Sequence, residues 1–584
     1  MRLPIQKRSK RTRTSVNAFG GYDRRGDTHE GNFFDMNNMT GDSYPYLQTR
    51  KKRGEIQLSG ERVFDIFSLD IGYDGKIVKN ALIADCENRI KAYFEDNGTV
   101  CAHDLFNTTS TLSKKEKCTC VSGTCIYFFP DNVYYNVMDS SVGVLQHSVS
   151  YALGIHSDAY YELALEPCGS DGEDSTDTSP YRRFRRSCYK IINGEKGDFI
   201  SHLSFSRGFK VGDTVKISGL KSLPLNRSYS IVGFSSDYTS LVVEASETLV
   251  QSEDTVYISR DVPQMDYVVS AGNRLWGCRY GRDAYGNCVN EIYASALGDP
   301  SNWYKFCGAS TDSWSASVGV GGAFTGAVCL DGYPVFFKED AIIKVYGSYP
   351  SEFTLKETRQ RGIEAGSSKS AVFVDDDLYY KTYSGIVRYD GGMPVNIDAP
   401  LGGELYKNAV AGSADGKYYV SMENREGDRV LFVYDKALRL WHKEDTLPIV
   451  SFARCGDRLY CLANDRGESR ILSLSEQQGL ISEESVEWMC ESVRLGYELP
   501  DRKYVAALTL RLRAEEGACV TVETEYDSNG IWHRSARVAG DGKARLIRLR
   551  PRRCDHFRLR LSGVGNCTLC YMTKELEACS AYGK

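Results

Sequence analysis

Two cysteine groups have spacings that metal sites and redox motifs use: Cys118, Cys120 and Cys125 in CTCVSGTC, and Cys567 with Cys570 in CTLC. A zinc site of this kind needs paired knuckles. Each group instead lies in a strand-like alternation, which sends successive side chains to opposite faces. The eight histidines include no HExxH or HxH spacing, and neither the nucleophile elbow GxSxG nor the phosphate loop GxxxxGK[ST] occurs. Asp299 and Trp303 in SALGDPSNW and Asp312 in STDSWS come nearest to the Asp-box turns of glycan-cutting propellers, but neither has the box's residue order and neither repeats. The acidic stretch 169–180, GSDGEDSTDTSP, lacks the Asp, Gly and terminal Glu order of a calcium loop and reads as a surface loop or linker. These readings leave no catalytic residue, no metal ligand set and no cofactor to name.

Two basic clusters remain as contact candidates. Lys7, Arg8, Lys10, Arg11 and Arg13 form a leader, and Arg182, Arg183, Arg185 and Arg186 interleave with aromatics in YRRFRRSCYK. Guanidinium groups bind phosphates in bidentate fashion and rings stack on bases, so the second cluster could hold phosphates. The leader also reads as a solvated tail, and the second cluster as a strand edge whose arginines oppose aggregation. The net charge of −5 confines any nucleic-acid contact to a local patch.

The elements that must position these residues are β-strands. The 54 Gly and 38 Tyr against only 15 Pro suit many short strands joined by glycine turns. From about residue 63 one theme repeats, an apolar strand, a Gly, Asp or Asn turn and a Tyr-rich strand: ALIADCENRIKAYF, TCIYFFPDNVYYNV, RLWGCRYGRDAYGNCVNEIYAS, PVFFKEDAIIKVYGS, DLYYKTYSGIVRYDGG, KYYVSMENREGDRVLFVYD and RLYCLANDRGESRILSLS. Their spacing of roughly 40 to 45 residues is the period of a propeller blade. The expected fold is therefore all-β: a β-propeller of about six to seven blades with an inserted small β-barrel and a C-terminal β-sandwich. A pair of β-sandwiches is the structural rival.

The expected boundaries are an extended N-terminal arm over 1–55, the first part of the propeller over 56–165, a linker and small barrel over 166–264, the second part of the propeller over 265–484 and the sandwich over 485–584. The sandwich is read from VAALTLRLR, ARLIRLRPRR and DHFRLRLSGVGNCTLCYMTKEL, which alternate with arginine on one face. No run of eighteen apolar residues and no signal-peptide stretch appears, so the expectation is a cytosolic chain with no membrane segment, whose 19 cysteines are mostly buried reduced thiols.

Two stretches carry a family resemblance. Phe19, Gly20 and Gly21, the Asn-rich 36–39 and the run 44–54 with Arg50, Lys51, Lys52 and Arg53 resemble the opening of the tail nozzle, or packaged-DNA stabilisation, proteins of short-tailed bacteriophages. Residues 271–402, from AGNRLWGC through TDSWSASVGVGGAFTGAVCLDGYPVFFKEDAIIKVYGSYPSEF to YYKTYSGIVRYDGGMPVNI, resemble the propeller core of that family and of related prophage virion proteins. The resemblance implies a homohexameric ring in the virion tail, assembled in the host cytoplasm. The ring would lie below the portal and neck adaptor and against distal tail proteins, and its lumen would conduct and retain packaged DNA without sequence specificity. It implies no catalytic residues, and it makes the basic leader and Arg182 to Arg186 candidates for subunit docking or for facing DNA. Two further readings stand beside it: a glycan- or receptor-binding tail protein, suggested by Tyr285, Tyr293, Trp303, Tyr304 and Trp314, and a propeller-fold carbohydrate-active enzyme using carboxylates from distant blades.

Overall fold

The computed structural model describes residues 11–578 apart from 26–28, 59, 74–75, 88, 97–98, 108–116, 157, 177, 206–207, 284–285, 466, 477–478, 500–501 and 550–551. Among these, strands account for every element except three single 3-10 turns, and no helix is long and apolar enough to cross a membrane. Seven antiparallel meanders of propeller-blade type span 63–107, 118–144, 267–317, 324–358, 372–396, 407–443 and 449–482. They are blades 1 to 7 below. The chain is thus an all-β protein of the propeller class, within the expected blade number.

Turn chemistry sets the meanders. Leu330 and Tyr333, Ala414 and Lys417, and Ala271 and Arg274 are each joined by two residues of positive φ: Asp331-Gly332, Asp415-Gly416 and Gly272-Asn273. Two successive left-handed residues form the hairpin turn whose twist matches the strands, and Gly, Asn and Asp reach it at least cost.

The chain divides into two compact units, Met1–Thr108 with Gln360–Lys584, and Thr109–Arg359. In the first, Ile66, Leu82 and Tyr93 of blade 1 pack on Tyr460, Leu462 and Ile471 of blade 7, and Val410 and Leu431 of blade 6 pack on Ile449, Cys461 and Leu472 of blade 7. In the second, Tyr127 and Phe129 of blade 2 meet Val268 and Leu275 of blade 3, whose Trp276 and Ile292 meet Phe336 and Ile343 of blade 4. Burying side chains of this size stabilises by about 1.5–3 kcal/mol each, so a blade that could not cover both faces alone is held by its neighbours.

The insertion in the second unit is a ten-stranded curled sheet from His147–Ala152 to Thr255–Arg260 around Phe184, Val215, Ile217, Leu241, Val243 and Ile258. It begins earlier than the expected boundary at 166: the strand Ala159–Cys168 pairs with Tyr181–Ile192, not with a blade. The acidic stretch is the loop of that hairpin, because Cys168 stands opposite Tyr181.

The C-terminal sandwich has a six-stranded and a five-stranded sheet. Here the expected extended arm lies along the sandwich. The strand Arg11–Val16 runs antiparallel to Cys567–Ala578, Phe33–Asn37 pairs with Glu487–Ser492, and Leu47–Thr49 also joins Cys567–Ala578. Phe19, Tyr22, Phe33, Met36, Met39 and Leu47 fill one core with Trp488, Leu510, Val522 and Leu561 of the sandwich. Gly54–Ile56 then enters blade 7, between Glu468–Ser473 and Ile481–Ser482. The N-terminal segment is therefore a clasp within its own chain.

Candidate functional site

The clasp is built from the residues of the basic exit. Strand Gly54–Ile56 in blade 7 fixes the backbone just after Arg53, and the end of blade 6 brings in Glu444 and Asp445. Arg50 and Arg53 are both buried. Arg53 donates through Nη2 to Glu444 Oε2 at 2.6 Å and through Nη1 to Asp445 Oδ2 at 2.5 Å. Arg50 donates to both Glu483 oxygens, at 2.7 and 2.9 Å, and to Asn38 Oδ1 at 2.7 Å. Burial opposes the charge on Arg53, but the pull of Asp445 and Glu444 outweighs it and holds the group above its ordinary value. Burial likewise opposes ionisation of Glu483, and its bonds to Arg50 prevail and lower it. The glycine pair is part of the same fastening. Gly21 has φ of +76°, and a Cβ there would lie 2.4 Å from the Trp441 carbonyl oxygen, which accepts from Tyr22 N at 2.6 Å.

Of the leader candidates, Lys7, Arg8 and Lys10 lie outside the described residues. Arg11 and Arg13 are about two-thirds exposed and face Glu577 at 3.2 Å and Glu575 at 3.9 Å. The second cluster does not form one patch. Arg182 is buried, donating to the carbonyls of Ser179 at 2.6 Å and Ser246 at 2.9 Å. Arg183 is buried against Glu166, Asp174 and the Gly172 carbonyl at 2.7 Å, so it closes the acidic loop onto its hairpin. Arg185 reaches Ser240 Oγ at 3.3 Å, and Arg186 lies 3.8 Å from the centroid of the Tyr151 ring. The two buried guanidiniums are spent inside the chain and out of reach of a phosphate.

The reactive-looking groups are likewise placed. Cys118 stands opposite Phe129, Cys120 opposite Tyr127 and Cys125 opposite Ser122 in one hairpin. Among the described residues no group of three His, Cys, Asp or Glu side chains could hold a metal ion. Asp299 accepts from Ser301 Oγ at 2.6 Å and Lys210 Nζ at 2.9 Å, and Asp312 accepts from the Cys307 and Ala309 amides at 2.5 and 3.0 Å. Both aspartates tie loops together. Of the aromatic candidates, Trp303 is buried, Tyr293 half-buried and Tyr304 just exposed, and Tyr285 lies outside the described residues.

Three surface features go further than the sequence reading, in which the sandwich arginines were one face of an alternation and Trp314 one of several candidate rings. On the outer face of the six-stranded sandwich sheet, Arg511 and Arg513 of Lys503–Ala514 and Arg548 of Ala544–Leu549 are exposed, with no carboxylate partner among the described residues. Beside Trp314, Phe306 and Tyr349 line a cavity of about 740 Å³ between blades 3 and 4. In the first unit, Asp398 and Glu404 share a cavity of about 150 Å³. Burial raises the Asp398 carboxyl above its ordinary value, while Glu404 accepts from Arg24 Nη1 and Tyr406 Oη, each at 3.0 Å.

No family model matches the chain, and no curated protein matches it. Among solved structures it is similar to the exo-β-1,3-galactanase of Phanerochaete chrysosporium with galactose, at 11% identity and a TM-score of 0.21 over 53% of this chain and 94% of that one. It is also similar to the Trypanosoma rangeli sialidase in complex with the inhibitor DANA, at 9% identity and a TM-score of 0.24 over 90% and 95%. A glycoside hydrolase family 43 arabinoxylan arabinofuranohydrolase from Bacillus subtilis gives 11% identity and a TM-score of 0.18 over 52% and 94%.

Proposed function

We propose that this chain is a structural virion protein, a tail nozzle or hub subunit whose ring conducts and retains packaged phage DNA. One observation carries the reading: the residues through which the N-terminal sequence resembles tail nozzle proteins are those that fasten that segment to the molecule. Gly21 lies against Trp441, and Arg50 and Arg53 run into Glu444, Asp445 and Glu483. A segment fastened in this way makes sense in a wall that must stay closed under load, where a strand from one end of the chain completes a sheet built by the other. A ring needs heterologous subunit contacts that close by rotation. Within it, Arg511, Arg513 and Arg548 form an exposed group of three on one sheet face for DNA phosphates, with the neck adaptor, portal and distal tail proteins as neighbours. Negative-stain images of the purified protein, alone and mixed with neck adaptor complexes, test this. Rings of about six subunits are expected, and a stable monomer indifferent to the adaptor would sink the reading.

A propeller-fold carbohydrate-active enzyme is the second reading. It is favoured by the cavity that Asp398 and Glu404 share, since a carboxyl raised by burial beside a second acidic side chain, here held by Arg24 and Tyr406, is the kind of pair from which acid and nucleophile roles are built. Turnover of any glycoside substrate that disappears in both Asp398→Asn and Glu404→Gln would favour this reading over the structural one.

A further inference from the structure

The cavity between blades 3 and 4 has the chemistry of a sugar site. Two loops at one edge of the second unit form it: residues 305–313, which lead into the strand Trp314–Ser317, and residues 347–353, which lead into Thr354–Thr358. Phe306 is 58% exposed and Tyr349 40% exposed, two large rings left at the surface of one cavity. Trp314 is half-buried and packs on Trp276 and Phe353, with ring centroids 5.8 and 5.6 Å away at interplanar angles of 59° and 81°, so two ring neighbours fix its position.

Among the described residues, four of the six indole N–H groups are used inside the fold, and that of Trp314 is not. Trp276, Trp303, Trp441 and Trp488 each donate to a backbone carbonyl at 2.8 to 3.1 Å. Nothing among the described residues accepts from Trp314 Nε1. A fixed ring with a free donor, in a cavity that two exposed aromatics share, offers one apolar face and one directed hydrogen bond. A pyranose presents the same pair, a face of C–H groups and a rim of hydroxyls. The remaining lining is serine hydroxyls, backbone and one carboxylate, and it includes no Lys, Arg or His. A phosphate or nucleic-acid backbone therefore finds no counter-charge there. The volume falls within the ~300–1,000 Å³ of small-molecule sites.

We propose that this cavity binds a neutral oligosaccharide, with Trp314 as stacking platform and N–H donor and Phe306 and Tyr349 as flanking rings. The inference is independent of the virion reading, and it predicts binding without turnover.

The test is saturation-transfer NMR and calorimetric titration of the full chain with neutral tetrasaccharides of glucose, galactose and N-acetylglucosamine, alongside a short oligothymidylate. At least one saccharide is expected to bind with a Kd of about 1 mM or tighter. Because Trp314 packs on two other rings, Trp314→Ala could unfold locally. Phe306→Ala and Trp314→Phe serve as the informative variants. Phe306→Ala is expected to weaken binding about tenfold with thermal stability unchanged. Trp314→Phe, which keeps a ring and removes the donor, is expected to weaken it about fivefold. The proposal is overturned if no saccharide binds at about 10 mM, if the oligothymidylate binds instead, or if binding survives both substitutions at full strength.

Discussion

Arg53 Nη2 sits 2.6 Å from Glu444 Oε2, linking the residue that precedes the first strand of the chain to enter blade 7 with the end of blade 6. Both groups are close to fully buried, so the pair has already lost its hydration, and most of its worth lies in what breaking it would leave behind. Removing one partner of such a pair strands a charge and costs about 3–5 kcal/mol. Arg53→Met is therefore expected to destabilise the first unit by that amount in urea or thermal unfolding. Adding Glu444→Leu should recover part of the loss, because one stranded carboxylate is then gone. A double variant no better than Arg53→Met would show that the two side chains are not coupled.

His442 gives the clasp a pH dependence. It is buried beside Gly21 and Gly41, and burial, with the nearby charge of Lys417, pushes its pKa down to about 4 against the opposing pull of Asp42 and Asp435. In the unfolded chain it titrates near 6.5. Between those values the unfolded state holds a proton that the folded state does not, so stability rises with pH across the window from about 4 to about 6.5 and is lost as pH falls through it. The full effect is on the order of 3 kcal/mol. His442→Gln should flatten this part of the profile when unfolding midpoints are measured across pH 4 to 7. Parallel profiles for the two proteins would show that His442 titrates alike in both states.

The repeated hairpins were legible in sequence because their signals are local: Asp331-Gly332 and Asp415-Gly416 specify turns within four residues, and the alternation on either side gives the strands. The clasp was not legible. Arg11 stands opposite Glu577 and Glu55 opposite Leu472, and nothing within a few residues of either position encodes a partner hundreds of residues away. The same limit explains the YRRFRRSCYK segment. Four arginines in six residues look like a surface patch, but the strand is central in its sheet, and the carbonyls of Ser179 and Ser246, with Glu166 and Asp174, draw Arg182 and Arg183 inward. The sandwich arginines were visible as one face of an alternation, yet which of them find carboxylates depends on cross-strand register: Arg558 and Arg560 meet Glu491, whereas Arg511, Arg513 and Arg548 meet none among the described residues.

Gly21 tests whether the glycine pair is a packing requirement. Its φ of +76° suits a residue without Cβ, and the added carbon of an alanine would lie 2.4 Å from the Trp441 carbonyl, a backbone atom that cannot swing aside. Gly21→Ala is expected to cost about 2–4 kcal/mol and to lower the unfolding midpoint. Gly403 supplies the control, since a Cβ there meets nothing within 4 Å and its φ is not in the left-handed region. Gly403→Ala should change stability by less than about 0.5 kcal/mol. Equal losses in the two variants would remove the close-approach argument.

The outer face of the sandwich can be separated from every other arginine by salt. Arg511 and Arg513 lie two apart on one strand, and Arg548, opposite Thr509, lies on the neighbouring one, so the three project from the same face, beside Leu546 at 70% exposure. If this face meets DNA, each arginine displaces about one condensed counterion, and the slope of log K against log salt carries about −0.9 per phosphate contact. Replacing all three with glutamine should make the slope shallower by up to about 2.7 and weaken binding to a random-sequence duplex uniformly, without changing sequence preference. Arg182 and Arg183 are already paired inside the insertion, so glutamine there should leave the slope unchanged while lowering stability. Filter-binding or anisotropy titrations from about 50 to 200 mM salt measure both sets. A slope that moves with Arg182 and Arg183 and not with the sandwich arginines would place the DNA contact on the insertion, and the proposed contact on the sandwich face would be wrong.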